Sequence, residues 1–155
     1  MSKMGKFLLF LLVVLLAAPP AHGGDDQGRL KITYMGFANS VEVDGERFHY
    51  SFVYESVPRG AALQLTPAQT QLFVDWLAQC QVFSLVGPDV LVAEPNHPGA
   101  GERNSLVVEH GDMKIELSWG GVSHWNDRTK QDMLERAVDE LTKLSFRLVR
   151  EADLL

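Results

Sequence analysis

Two stretches of this chain alternate apolar and polar side chains on either side of a short turn, and that period of two limits the possible folds more than any other feature. In the first, Val41-Glu42-Val43 and Glu46 to Tyr54 flank Asp44-Gly45; in the second, Ser105 to His110 and Met113 to Trp119 flank Gly111-Asp112. Residues two apart share one face of a strand, and dipeptides of glycine and aspartate accept the positive φ that a two-residue turn requires. The spacing predicts two β-hairpins. A turn at Asp44-Gly45 sets Val41 against Phe48 and Glu42 against Arg47. A turn at Gly111-Asp112 sets Leu106 against Leu117, Val108 against Ile115 and Glu109 against Lys114. Each hairpin then has apolar pairs on one face and an opposite-charge pair on the other, the combination that stabilises paired strands.

Upstream, Leu30, Ile32 and Tyr34 mark one face of a strand, but the apolar parity changes from even to odd at Val41 and Val43. Parity can change within a strand through a bulge or bend, here expected at Gly36 to Ser40. Glu55 to Gln64, with Pro58 and Gly60, is expected to be a connector. A helix follows: Thr66 is a good N-cap, Pro67 suits the first helical position, and Gln69 completes a capping box. Leu72, Phe73, Trp76, Leu77 and Cys80 recur at helical spacing. A second helix is expected from near Asn126 or Asp127, with an apolar stripe from Met133 to Leu148. The order is ββαββα, and its simplest packing is an α+β fold with a four-stranded antiparallel sheet and two helices on one face. The aromatic row Phe48, Tyr50, Phe52 and Tyr54 is expected to be the covered face.

The beginning of the chain constrains compartment. Lys3 and Lys6 precede an apolar run from Phe7 to Ala18, then Pro19-Pro20 and the small-residue segment Ala21-His22-Gly23. That is the pattern of a secretory signal peptide. The run is 12 residues long, against the roughly 20 needed to span a bilayer. Residues 1–23 are therefore expected to be removed, leaving 24–155 as one exported domain, secreted or periplasmic, with no stable membrane insertion. Residues 24–155 carry 12 basic and 20 acidic side chains, net −8. A chain this acidic offers no attraction to nucleic acid. Cys80 has no second cysteine to pair with, so packing and backbone pairing must supply the stability.

Catalytic chemistry finds little support. His49, His97, His110 and His124 lack the spacing of a metal site, and no nucleophile elbow or phosphate-binding glycine loop is present. The sequence predicts a protein that is not an enzyme and needs no cofactor. Two features suit recognition instead. One is the aromatic row, whose exposure would make a ligand face. The other is the connector after the second hairpin, where Trp119, Gly120, Gly121, His124 and Trp125 combine large rings with flexible backbone. Rigid aromatics at a surface bury much area at small entropic cost. His97 lies in the long Pro- and Gly-containing stretch Val86 to Asn104 and joins them as a candidate partner contact.

The first helix and second hairpin resemble the emfourin family, small bacterial proteins whose founding member inhibits a thermolysin-like metallopeptidase. The matching residues are Leu65-Thr66-Pro67 leading to Phe73, Trp76 and Leu77, then Val82-Phe83-Ser84-Leu85 and Leu106-Val107-Val108-Glu109-His110-Gly111. Ile32-x-Tyr34-x-Gly36 is similar to the family's opening strand, although it has one glycine where the family tends to have a pair. The resemblance covers about half of the mature chain and carries over no inhibitory residue. It implies a protein-binding module directed at an exported peptidase, a metallopeptidase among the candidates. The alternatives are a carrier of small apolar ligands using the aromatic face and a structural envelope protein.

Overall fold

The parity change between Tyr34 and Val41 is a chain reversal rather than a bulge. A computed structural model describes residues 28–54, 57–85, 103–120 and 128–154; the leader expected at 1–23 lies outside them. Strand β1 (Lys31–Met35) ends at Gly36, whose N–H donates to the Asn39 carbonyl at 2.8 Å. The chain turns at Phe37-Ala38 and returns as β2 (Asn39–Asp44), pairing Ile32 with Val43 and Tyr34 with Val41. A reversal changes sequence parity while keeping the apolar residues on one face, which is why an even set in β1 matches an odd set in β2.

The expected connector at 55–64 is also corrected. After β3 (Arg47–Tyr54), Val57–Gln64 forms β4 and pairs antiparallel along β3. Its Pro58 and Gly60 are tolerated because β4 is an edge strand. The Val53 N–H is given to the Ala38 carbonyl at 3.0 Å, toward β2. Val53 and Pro58 therefore form a non-hydrogen-bonded pair, and the Pro58 nitrogen faces outward, where no donor is needed.

The remaining elements are helix α1 (Pro67–Gln79), a 3₁₀ turn at Val82–Leu85, strands β5 (Arg103–His110) and β6 (Met113–Gly120), and helix α2 (Arg128–Glu151). The sheet has six antiparallel strands in the spatial order β4-β3-β2-β1-β5-β6. The four-stranded ββαββα expectation gives way to four strands, a helix, two strands and a helix. The second hairpin keeps its expected register, with Leu106 opposite Leu117 and Glu109 opposite Lys114. The first does not: Val41 faces Tyr50, Glu42 faces His49 and Val43 faces Phe48. Gly45, at φ +63°, takes the first turn position and Glu46 the second, so Asp44 becomes the closing partner of Arg47. Because that slip moves each pairing by two, every side chain keeps its face.

Both helices cover the same face. Phe48 meets Phe73 of α1 at a ring separation of 5.8 Å, and Phe52 meets Phe146 of α2 edge-on at 6.0 Å. Helix α1 begins as its capping box requires: the Gln69 N–H donates to Thr66 Oγ1, and the Thr66 N–H donates to Gln69 Oε1. The helices are tied by the buried Trp76 indole, which donates to the Ala137 carbonyl at 2.8 Å. Beyond α1 the chain passes through Gln81 at φ +49° into the 3₁₀ turn, which buries Val82 and Leu85 between α2 and β6. Buried Ser145 is satisfied by donating to the Leu141 carbonyl at 2.8 Å. Among the described residues no helix is long and apolar enough to cross a membrane.

The other face of the sheet has no helix on it among the described residues, and its composition suits water. Arg47, Asp44, Lys31, Glu109 and Lys114 lie side by side across β3, β2, β1, β5 and β6 and alternate in sign. Arg47 reaches Asp44 at 2.6 Å, Lys114 reaches Glu109 at 3.1 Å, and Lys31 reaches Glu109 at 4.0 Å. Arg29 adds a second cation to Asp44 at 2.7 Å. Burial alone would raise the Asp44 pKa, but the hydrogen bonds and charges of Arg47 and Arg29 outweigh it and hold the carboxyl below its usual value. Nearer the β1–β2 turn Ser51, Ser40, Ser105 and Ser118 share a row with Met35, and the Ser40 and Ser51 hydroxyls are 2.6 Å apart.

A one-sided core makes substitutions strongly asymmetric. Leu141→Ala, at a position with 0% exposure, is expected to cost about 2–5 kcal/mol. Glu116→Gln on the open face should change stability by less than about 0.5 kcal/mol. Urea denaturation of both variants measures the difference, and similar losses would contradict the one-sided arrangement.

Candidate functional site

Exposed apolar side chains gather at one end of the sheet, around the β1–β2 turn. Phe37 at the turn is 78% exposed, Met35 beside it 58%, and Val53, backbone-bonded to Ala38, 50%. Met35 and Val53 lie on the open face; Phe37 projects from the turn itself. The start of β5 and the end of β6 reach the same end, because Met35 pairs with Ser105, Ser105 with Ser118, and Asn104 with Trp119.

On the helix-covered side this end is built on Tyr34. Its ring lies over Gly36 so closely that a Cβ there would overlap the Tyr34 hydroxyl, and would come within 2.7 Å of Tyr34 Cζ and 3.0 Å of Asn39 Oδ1. Glycine is needed here for space. Tyr34 in turn stacks against half-buried Trp119, with ring centroids 6.5 Å apart and planes inclined by 23°. Asn39 Nδ2 reaches Thr142 Oγ1 of α2 at 3.4 Å, and Thr142 itself donates to the Val138 carbonyl. Between these strand ends and the first half of α2 lies a cleft of about 380 Å³, walled by Tyr34 and Trp119, floored by Leu134 and Val138, and bordered by Glu135 and Asp139. Burial pushes the Tyr34 phenol above its usual pKa, and the nearby Tyr50 adds to the shift. Tyr50 is raised by burial too, against an opposing hydrogen bond from Asn39.

Of the residues singled out from sequence, Trp119 forms a wall of this cleft and Gly120 is the last residue of β6, opposite Arg103. Gly121, His124, Trp125 and His97 lie outside the described residues. The aromatic row is core over its first three members: Phe48, Tyr50 and Phe52 are buried under the helices. Phe37 and Met35 were missed because the parity break was assigned to a bulge. A lone phenylalanine between Gly36 and Ala38, at the point of parity change, was the available signal.

Two other hollows lie elsewhere on the described surface. A groove of about 380 Å³ between the helices is lined by Trp76, Cys80 and Lys143, but the Trp76 indole is already committed to Ala137. Burial raises the Cys80 thiol pKa, opposite to what a reactive thiol requires. A depression of about 430 Å³ on the β3–β4 side is lined by His49, Ala62 and Gln64. Among the described residues no three of His, Cys, Asp and Glu are placed to hold a metal ion. Compared with known protein families and with curated proteins, the chain matches none.

Gly36→Ala should displace the Tyr34 ring, lowering stability by about 1–3 kcal/mol and changing tryptophan emission through Trp119. Gly28→Ala is the control, since a methyl there meets nothing within 4 Å; equal behaviour of the two variants would remove the packing role of Gly36. The buried phenols also fix the sign of the alkaline response. Above the ordinary value of 10.0 the unfolded chain releases protons that folded Tyr34 and Tyr50 retain. The folded state then binds more protons, and stability falls as pH rises. Urea midpoints measured on either side of that pH should decline, and less steeply in Tyr34→Phe.

Proposed function

We propose that this protein is an exported binding module whose partner is another exported protein, with inhibition of a peptidase as the leading reading. The observation that carries it is the exposed apolar end of the sheet: Met35 of β1, Phe37 of the turn and Val53 of β3 are all exposed at that end. Contiguous exposed apolar groups on a folded surface mark contact sites, and a well-supported aromatic is the usual anchor of such a contact. The signal-like leader supports the compartment. The resemblance of Thr66-Pro67, Trp76 and the Leu106–Gly111 hairpin to emfourins supports a peptidase, a metallopeptidase among the candidates, as the target. Charge supports a partner with basic surface, because residues 24–155 carry net −8.

Phe37→Ser is the direct test. Phe37 is a hairpin-tip residue outside the core, so thermal stability should be nearly unchanged. Inhibition of an exported metallopeptidase from the same culture should weaken by about 2 kcal/mol or more, some thirtyfold in the inhibition constant. Undiminished inhibition by the variant would exclude the Phe37 end as the contact. Failure of the wild-type protein to inhibit any exported peptidase would remove the inhibitor reading.

A further inference from the structure

We propose that the cleft between Tyr34, Trp119 and the first half of α2 receives one cationic side chain, arginine or lysine, from the bound partner. The inference deepens the protein-binding reading and rests on it for the class of partner. The cleft presents in sequence the three surfaces such a side chain needs. Leu134 and Val138 form an apolar floor for the methylene stem, which long basic side chains lay against hydrocarbon. Tyr34 and Trp119 supply aromatic rings near the charge, and the electron-rich face of such a ring attracts a cation. Glu135 and Asp139, one turn apart on α2, supply carboxylates at the border.

Charge complementarity selects this occupant. Among the described residues the lining includes two carboxylates and no lysine, arginine or histidine. Both carboxylates retain acceptor capacity: Glu135 accepts one hydrogen bond from Gln131 at 2.9 Å, and Asp139 pairs with Lys143 at 2.6 Å. The Asp139–Lys143 pair is exposed on both sides, so an incoming cation displaces Lys143 at little cost. Asn39 and Asn104 add side-chain carbonyls that can accept from a guanidinium. The cleft lies at the same end of the sheet as Phe37, Met35 and Val53 but on the helix-covered face, so a partner that wraps this end would meet an apolar anchor and a cation site on its two sides.

The test is titration of the protein, purified as its host processes it, with the probe peptide acetyl-Gly-Arg-Gly-amide. The Trp119 indole N–H is followed by NMR. Binding should be saturable and weaken with salt. The double variant Glu135→Gln, Asp139→Asn, both exposed positions, should melt as the wild type does and bind about tenfold less tightly. Acetyl-Gly-Glu-Gly-amide and the neutral disaccharide cellobiose should leave the Trp119 signal unmoved. The inference is overturned if the arginine peptide binds the double variant as well as the wild type, if it produces no Trp119 shift, or if cellobiose binds in its place. Peptidase inhibition separates the two readings. Inhibition that survives the double substitution overturns the cation site and leaves the inhibitor standing. Arginine-peptide binding without any inhibited peptidase supports the cation site and removes the inhibitor.

Discussion

The pairing of β1 with β5 holds this molecule together. Strands β1 to β4 form a continuous antiparallel meander, and β5 and β6 form a separate hairpin far along the chain. Only the ladder joining Ile32 to Val108 and Tyr34 to Leu106 makes them one sheet. That ladder places β1 at the interior of the sheet, with β2 on its other side. Ile32 is consequently among the most deeply buried side chains, and Tyr34 lies where both halves meet. Helix α2 reinforces the junction from above, since it borders Trp119 of β6, touches Asn39 of β2 and packs Phe146 on Phe52 of β3.

One consequence is a division of labour between the two faces. Two helices shield one face of a six-stranded sheet. The opposite face remains in water through polar pairing rather than burial. The alternating row from Arg47 to Lys114 does most of this, and four serines continue it nearer the β1–β2 turn. Val107 lies among polar residues in the row between them, and the exposed apolar groups come near the turn, where Met35 and Val53 lie on this face and Phe37 projects beyond the strands. In the proposed function these are the groups that a partner would cover.

Much of this was legible locally. The second hairpin kept its register because Gly111-Asp112 left one turn placement that paired every apolar residue. The capping box at Thr66 and Gln69 and the stripe from Met133 to Leu148 were likewise visible, since both are written within a few helical turns. The first hairpin slipped because Asp44-Gly45 and Gly45-Glu46 are both acceptable turn pairs that preserve the faces. Strand β4 was missed because Pro58 and Gly60 are strong breakers in isolation, and an edge position removes their penalty. The candidate site was half visible. Trp119 stood out as a large ring next to glycines, while Phe37 was hidden inside a reversal mistaken for a bulge.

The amino-acid sequence by itself determined both helices, the two hairpins and their inward faces, though not β4, because helix caps, turn pairs and side-chain periodicity act over a few residues. It also determined the charge balance and the lack of any internal disulfide. Which strands become neighbours was decided only in the tertiary structure. The β1–β5 pairing links residues seventy or more positions apart, and many strands share the same alternation, so pattern alone could not choose among them. The same holds for the cleft: Tyr34, Trp119, Glu135 and Asp139 become a site only because sheet closure and helix packing bring three distant segments to one end of the fold.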